Sequence, residues 1–456
     1  MNYTLKERQI KLVEDYDVIV IGGGPAGCAA AASSAREGAK TLLIESSGML
    51  GGMATKGLVS SWTPYTDEIR IIYGGISKKV FLETKNAMEV VAPDHYDWVA
   101  IDYERLKMVY DDLINESGAD VLFHTYFCDV EMKDERNVDK IIVANKSGLT
   151  AYKAKVYIDC TGDADLYAFA GGKYHFGDDE THETQPASHC FVISGVSQEE
   201  FEKATERLNG KPLYAGNPNA VIHKIVEDEK YNIPDTHCVC CFIGPNTMGF
   251  NAGHIWDVDY TNPECVSKAI FEGRKLAQEY FNAFKEYLPE VFKDAYLVET
   301  APTLGCRESR RIIGDYIFTV EDFQQRRSFP DEIARNNYFI DIHKSAKENN
   351  EMKGHSDNRY EHYKAGESHG IPYRVLCPKQ FDNMLVAGRS VSTDRITQGS
   401  LRVMPCCLCE GEAAGIAANY AIEKDEINIH TIDTQRLRKR LIELDGYLPK
   451  LETDTF

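Results

Sequence analysis

The first sustained pattern along the chain is a short, wholly apolar run, Val18-Ile19-Val20-Ile21, entered through Tyr16-Asp17. An apolar run without alternation reads as a strand buried on both faces, as in a parallel sheet. Gly22-Gly23-Gly24-Pro25-Ala26-Gly27 interrupts it, and the alanine-dense stretch that follows predicts a helix ending near Gly38. Thr41-Leu42-Leu43-Ile44-Glu45 predicts a second strand, completing one βαβ unit. Between Ala119 and Asp163 three apolar stretches are split by polar turns at 134–137 and 146–148. That spacing predicts a β-meander feeding back to the sheet at Tyr157-Ile158-Asp159-Cys160.

Residues 176–371 are less regular: an amphipathic helix is expected over 264–287, among short strands and many aromatic residues. The chain then returns to a strand-like run, Asn383-Met384-Leu385-Val386-Ala387, and to a small-residue helix within 410–422. The two ends therefore read as one domain, residues 1–175 and 372–456, interrupted by a second over 176–371.

Composition narrows the class. Fifty-one basic against seventy-one acidic side chains in 456 residues give a net charge of −20. So acidic a chain repels phosphate backbones and anionic bilayers, and neither nucleic acid nor a membrane is expected as a partner. The start MNYTLKERQIKLVEDYD has no apolar signal core, and the thirteen cysteines are an odd number. A cytoplasmic location with reduced thiols is the expectation.

Gly22-x-Gly24-x-x-Gly27 follows a strand and opens a helix, where backbone N–H groups at the positive helix end meet a pyrophosphate. Pro25 and Ala26 belong to the same turn. Glu45, 23 residues after Gly22 at the end of the second strand, stands where a ribose would hydrogen-bond. A glycine-rich structural turn would leave Glu45 unexplained. A second glycine loop, Gly48 to Thr55 with Gly51, Gly52 and Met53, favours FAD over NAD as the dinucleotide.

These motifs resemble those of the FAD-dependent oxidoreductase family that shares its flavin domain with fumarate reductase flavoproteins and glutathione reductase. The hallmarks of one bacterial branch stand here as Gly51-Gly52-Met53-Ala54-Thr55, Asp159-Cys160-Thr161-Gly162-Asp163 and Arg307-Glu308-Ser309-Arg310-Arg311. Ile371 to Arg374, Leu385 to Arg389 and Gly399 to Pro405 match as well. The resemblance implies an α/β fold: a glutathione-reductase-type FAD-binding domain, three layers of parallel sheet, helices and β-meander, with an inserted mixed α+β substrate domain. It implies that Thr161, Gly162 and Asp163 close over the adenosine end of FAD. Gly388 and Arg389 would form a second flavin contact, with Arg402 close by. A helix starting near Gly411 to Gly415 would aim its positive end at the flavin.

Three groups of residues are weighed for chemistry. The cysteines at 238, 240 and 241, and those at 406, 407 and 409, have Cys-x-x-Cys spacing. They are 165 residues apart and set in apolar sequence, so buried packing is preferred to a metal or a redox disulfide. His343, His355, His362 and His369 are 12, 7 and 7 residues apart, not the spacing of a ligand helix. The three from His355 to His369 read as a polar surface loop or lid. His343 and His254 are active-site candidates, His343 because it matches a family D-I-H segment. Arg307, Arg310 and Arg311 read either as ion-paired packing or as a clamp for an anionic substrate, to which Arg374 and Arg402 would add.

The expected function is hydride transfer between a small organic metabolite, anionic or hydroxylated, and flavin N5. The catalytic candidates are Arg307, His254, His343 and Tyr373, and no metal is expected. An unidentified electron donor or acceptor completes the reaction, and the oligomeric state is left open. An NAD(P)H-fed flavin reductase and a non-catalytic flavoprotein are the alternatives. The first lacks a second GxGxxG.

Overall fold

The computed structural model describes residues 6–344 and 360–456. A five-stranded parallel sheet runs in the order Met384–Val386, Val156–Asp159, Val18–Ile21, Thr41–Ile44, Asp120–Leu122. Val18–Ile21 lies at its centre, and both its faces are covered, which is why the sequence there does not alternate. Val18 and Val20 face a helical layer that includes Pro25–Arg36 and Met404–Ile422. Ile19 and Ile21 face the meander, packing with Val138, Ile141 and Val143. The three expected layers are present.

The meander consists of Tyr126–Met132, Val138–Asn145 and Gly148–Tyr152, paired antiparallel. A fourth strand, Lys11–Val13, joins its edge parallel to Gly148–Tyr152. Three residues in a charged leader carry no readable period, so this strand was not foreseen.

The last long helix begins at Met404, with Pro405 in its first turn, and not near Gly411 to Gly415. Those glycines serve another purpose. A Cβ on Gly411 would lie 2.0 Å from the carbonyl oxygen of Ala26, and one on Gly415 would lie 2.0 Å from Ser33 Oγ. The helix therefore rests directly on the backbone of Pro25–Arg36, the helix that opens from the glycine turn.

A second sheet, antiparallel, has the order Cys238–Gly244, Thr247–Ala252, Phe191–Ser194, Tyr296–Thr300. The amphipathic Pro263–Tyr287 helix packs its buried stripe into the same core, against Phe191, Phe250 and Phe292. Among the described residues this second core draws on those between Ala187 and Leu304. It is narrower than the expected 176–371, because the chain returns to the first unit at residue 310. There Arg310–Ile312 pairs with Tyr174–Phe176, and Phe318, Phe323, Phe329 and Ile342 enter the first core. Among the described residues no helix is long and apolar enough to cross a membrane.

The helix contact yields a test. Gly411→Ala should lower stability by ~1–3 kcal/mol through overpacking and bring the melting midpoint down. Gly244→Ala, where a Cβ would meet nothing within 4 Å, should leave it unchanged by calorimetry.

Candidate active site

The glycine turn after Val18–Ile21 and the second glycine loop are built onto each other. Gly51 N–H donates to the carbonyl of Gly23 at 2.8 Å, and Gly52 and Met53 open a short 3-10 turn beside it. Gly22 has φ +97°, which an L side chain rarely adopts, and a Cβ there would strike the Cys160 carbonyl at 2.4 Å. Pro25 and Ala26 form the first turn of the helix that follows, and Gly27 continues it. Gly24 differs from Gly22: a Cβ on it would meet nothing within 4 Å. It lies at the N-terminus of the helix, where free N–H groups favour a pyrophosphate, and a side chain there would stand in that space.

Glu45 is buried at the end of Thr41–Ile44, and its Oε2 accepts from Gly23 N–H at 2.8 Å. Its Oε1 accepts from Ser47 N–H at 2.8 Å and Ser47 Oγ at 2.6 Å, and pairs with Lys56 at 3.1 Å. Burial pushes this carboxyl up, but Lys56, Ser47 and Gly23 outweigh it and hold Glu45 ionised below its ordinary range. Oε1 is thus occupied by the loop, while Oε2 keeps acceptor capacity for a ribose hydroxyl. The residues present suit FAD.

Thr161, Gly162 and Asp163 follow the neighbouring strand, and Gly388 and Arg389 follow Met384–Val386. One ion pair joins the two turns: Arg389 Nη2 donates to Asp163 Oδ1 at 2.8 Å. Ser309 Oγ donates to the same oxygen at 2.5 Å, and Arg310 Nη1 donates to the Asp163 carbonyl at 3.0 Å. Burial raises the Asp163 carboxyl, and Arg389 with Ser309 more than reverses this. Behind Gly388, its N–H donates at 2.9 Å to Oε2 of the fully buried Glu410, whose Oε1 has no hydrogen-bond partner among the described residues. Burial pushes this carboxyl up to about 8.

The two units meet at a second cluster. Arg307 is buried, its Nη1 donating to the Pro186 carbonyl at 2.7 Å and its Nη2 lying 3.4 Å from His237 Nε2. Burial and the neighbouring Arg402 both press against its charge. Arg402 Nη2 donates to the Asp341 backbone carbonyl at 2.9 Å and lies 3.5 Å from its Oδ2, while its buried Nε has no partner among the described residues. His254 Nδ1 is 3.1 Å from Asp235 Oδ2, and its Nε2 is 2.8 Å from His343 Nδ1. His343 Nε2 lies 3.6 Å from Asp341 Oδ1. Burial and Arg307 push the His343 imidazole down to about 3, so it is neutral near pH 7. Asp341 stays an anion: burial opposes this, but His343, Arg402 and Arg307 prevail.

Of the expected catalytic residues, Arg307, His254 and His343 come together. Tyr373 does not join them: it is buried, with its hydroxyl donating to the Ile429 carbonyl at 2.9 Å. The arginine cluster also divides. Arg310 pairs with Asp165 at 2.8 Å, Arg311 with Glu308 at 2.6 Å, and Arg374 with Asp331 at 2.9 Å. Those three guanidiniums are committed to carboxylates of the fold. His369 is not in a surface loop; it is buried in the His369–Pro372 strand, 2.6 Å from the Tyr363 hydroxyl. His355 lies outside the described residues. All thirteen cysteines are free thiols. Cys407 donates to the Arg402 carbonyl at 3.3 Å, beside the cluster.

His237, Asp235 and Asp341 were missed from the sequence. Two Asp-x-His triplets, Asp235 to His237 and Asp341 to His343, carried the available signal.

A parallel sheet with two glycine loops and a terminal acid at its carboxyl edge, facing a charged cluster under a second unit, is the construction of a dinucleotide-dependent redox enzyme. The chain belongs to the FAD dependent oxidoreductase family, whose model matches residues 17–441, and FAD is its cofactor. It is 31% identical over 175 residues to a digeranylgeranylglycerophospholipid reductase of Picrophilus torridus, covering 35% of this chain and 42% of that protein. It is 35% identical over 94 residues to a tRNA uridine 5-carboxymethylaminomethyl modification enzyme of Zymomonas mobilis, covering 20% and 13%. The chain thus aligns with less than half the length of either relative. Among solved structures it is similar to a geranylgeranyl bacteriochlorophyll reductase-like protein of Thermoplasma acidophilum, with TM-score 0.47, 15% identity, and 96% and 85% of the two chains covered.

Two measurements probe the cofactor domain. Because the space beside Gly24 is open, Gly24→Val should fold and melt like the parent without FAD, yet bind no FAD on reconstitution. A Glu410→Gln variant tests the buried carboxyl through pH. A carboxyl raised to about 8 in the fold and ionising at its ordinary value when unfolded loses stability as pH rises from about 4.5 to about 8, then levels off. The melting temperature of Glu410→Gln relative to the parent should therefore climb between pH 5 and pH 8 and be flat above.

Proposed function

We infer that the protein is an FAD-dependent dehydrogenase or reductase acting on a small oxygenated metabolite that carries a negative charge. One observation carries this reading. Among the described residues, Arg307 and Arg402 repel each other beside the Asp341 carboxylate, and Arg402 keeps a buried N–H without a partner. Two guanidiniums in that arrangement are stabilised by an anion, which their planar forks hold bidentately.

FAD, when bound, supplies a two-electron acceptor or donor that moves a hydride. The chain supplies the rest. Arg307 and Arg402 anchor the substrate anion and fix its orientation, which lowers the entropic part of the barrier. The low-dielectric walls around them strengthen that hold. The polar groups of His254 and His343 stand beside the anion site, within reach of a substrate oxygen that gains or loses a proton. The electron partner is a separate small molecule or protein.

The test screens the FAD-loaded enzyme for flavin bleaching, or for reoxidation of dithionite-reduced flavin, against hydroxy acids, enoates, sugars and amines. Charged acids should react and their neutral amides should not. With the best substrate, Arg307→Lys should lower turnover at least ~10-fold, about 1.4 kcal/mol of transition-state stabilisation, with FAD content and melting temperature nearly unchanged. Arg311→Lys, which disturbs the buried pair with Glu308, should show the reverse: a lower melting temperature and normal turnover in the folded fraction. Equal loss of stability in both variants would assign Arg307 to the fold.

A further inference from the structure

Strand alternation gives the two faces of the second sheet different surroundings. Met248, Phe250 and Ala252 of Thr247–Ala252 turn into the second core, where Phe250 stacks on Phe191 at 5.0 Å. Gly249 and Asn251 therefore project from the opposite face. Cys190 and Val192, on either side of Phe191, also leave that core and pack into the first one. This face of the sheet is turned toward the nucleotide-binding unit.

Two contacts bracket Asn251 there. Gly249, two residues before it, lies against the first unit: a Cβ on it would come within 2.5 Å of the Tyr103 hydroxyl and 3.0 Å of Ser60 Cβ. Cys241 Sγ, on the adjoining strand, donates to the Ser60 carbonyl at 3.0 Å. Ser60 stands five residues after Thr55, where the second glycine loop ends. On the other side is Cys190, which precedes Phe191, the cross-strand neighbour of Phe250; Cys190 and Asn251 therefore share the face next to each other. Burial pushes the Cys190 thiol up, and the neighbouring Arg307 guanidinium opposes this. Asn251 thus stands between the glycine-loop segment and the charged cluster.

Its amide is not used by the fold as other buried amides are. Asn336 accepts from Tyr73 and donates to Ser400, and Asn383 both accepts from and donates to the Val138 backbone. Asn251 Oδ1 is buried with no hydrogen-bond partner among the described residues. An acceptor in that position has lost its hydration and gained no donor, and a β-branched residue would suit the strand better.

We propose that Asn251 is a specificity-determining residue, whose side-chain amide receives a hydroxyl group of the substrate while Arg307 and Arg402 hold its anionic end. The position of that anionic end rests on the anion-binding reading above. Guanidiniums only donate, so the choice of a donor on the substrate falls to an acceptor such as Oδ1. The class that fits is a small hydroxylated acid. Its O–H donates to Oδ1, whereas the deoxy acid leaves that oxygen stranded. Sites built on such a bond reject the analogue without the hydroxyl far more steeply than apolar pockets do.

The test uses the FAD-loaded enzyme reduced with dithionite, in which a hydroxy acid binds without being oxidised. Glycolate and acetate, lactate and propionate, malate and succinate, and the neutral pair lactamide and propionamide are titrated by calorimetry. The parent should bind the hydroxylated member of at least one pair ~10-fold or more tightly than its deoxy partner. Asn251→Leu should erase that preference and leave the affinity for the deoxy member unchanged. Asn251→Asp keeps the acceptor and adds a charge, so it should retain the preference while binding both acids more weakly. Thr247→Val, on the same strand face but bonded to Ser194 at 2.9 Å, should behave as the parent. FAD content and melting temperature report folding, and Asn251→Ala replaces the leucine variant if that one does not retain FAD.

The proposal is overturned if no hydroxylated compound, acid or amide, binds better than its deoxy partner, or if folded Asn251→Leu keeps the preference. Arg307→Lys separates it from the anion reading. If that variant weakens both members of an acid pair while Asn251→Leu keeps the preference, the anion reading stands and Asn251 has no part in selection. If Asn251→Leu abolishes the preference for lactamide while Arg307→Lys leaves lactate binding unchanged, Asn251 is upheld and the anion reading falls.

Discussion

The carboxylate of Asp163 holds the active site together. It accepts from Arg389 on the turn after one strand and from Ser309 on the segment that bears Arg307, while its own backbone sits on a third turn. Three pieces of chain, distant in sequence, are fixed relative to one another by one half-buried anion. The placement of Arg307 two residues before Ser309 follows from this anchor, and with it the distance between the nucleotide cradle and the charged cluster.

That anchor also explains why the arginine-rich segment divides by role. Arg310 and Arg311 point back into the first unit, toward Asp165 and Glu308. Arg307 sits on the other side of the anchor and reaches Pro186 and His237 of the second unit. The three guanidiniums look alike in the sequence, but the direction in which the chain leaves Ser309 separates the one in the charged cluster from two committed to carboxylates of the fold.

The nucleotide side of the site was legible because it is local. A strand, a glycine turn, a helix and an acid within thirty residues determine one another's geometry, and the structure puts Gly22, Gly24 and Glu45 where that spacing requires. The charged cluster was legible only in part, since its members converge from residues 235, 254, 307, 341 and 402. Arg307 and His343 were candidates through motif likeness, and His254 only by its place in the middle of the chain. His237 stands beside a cysteine pair and carries no motif of its own, and Tyr373 was misplaced because a motif tells nothing of which way a phenol points. The helix start at Met404 was obscured by glycines that read as a terminus. They are there for close approach to another backbone.

The order of strands in the parallel sheet carries a consequence for how this protein is made. Val156–Asp159 has Met384–Val386 as its outer neighbour, and the helix covering the glycine turn runs from Met404 to Ile422. A nascent chain that has just emerged past Asp163 therefore owns the nucleotide motif but neither the strand nor the helix that makes it rigid. Sheets closed by such remote segments assemble slowly, because the loop entropy is lost before the contacts repay it. Through most of translation the alanine face of the Pro25–Arg36 helix stays uncovered, and the cradle for the flavin becomes rigid only once the last tenth of the chain has been made.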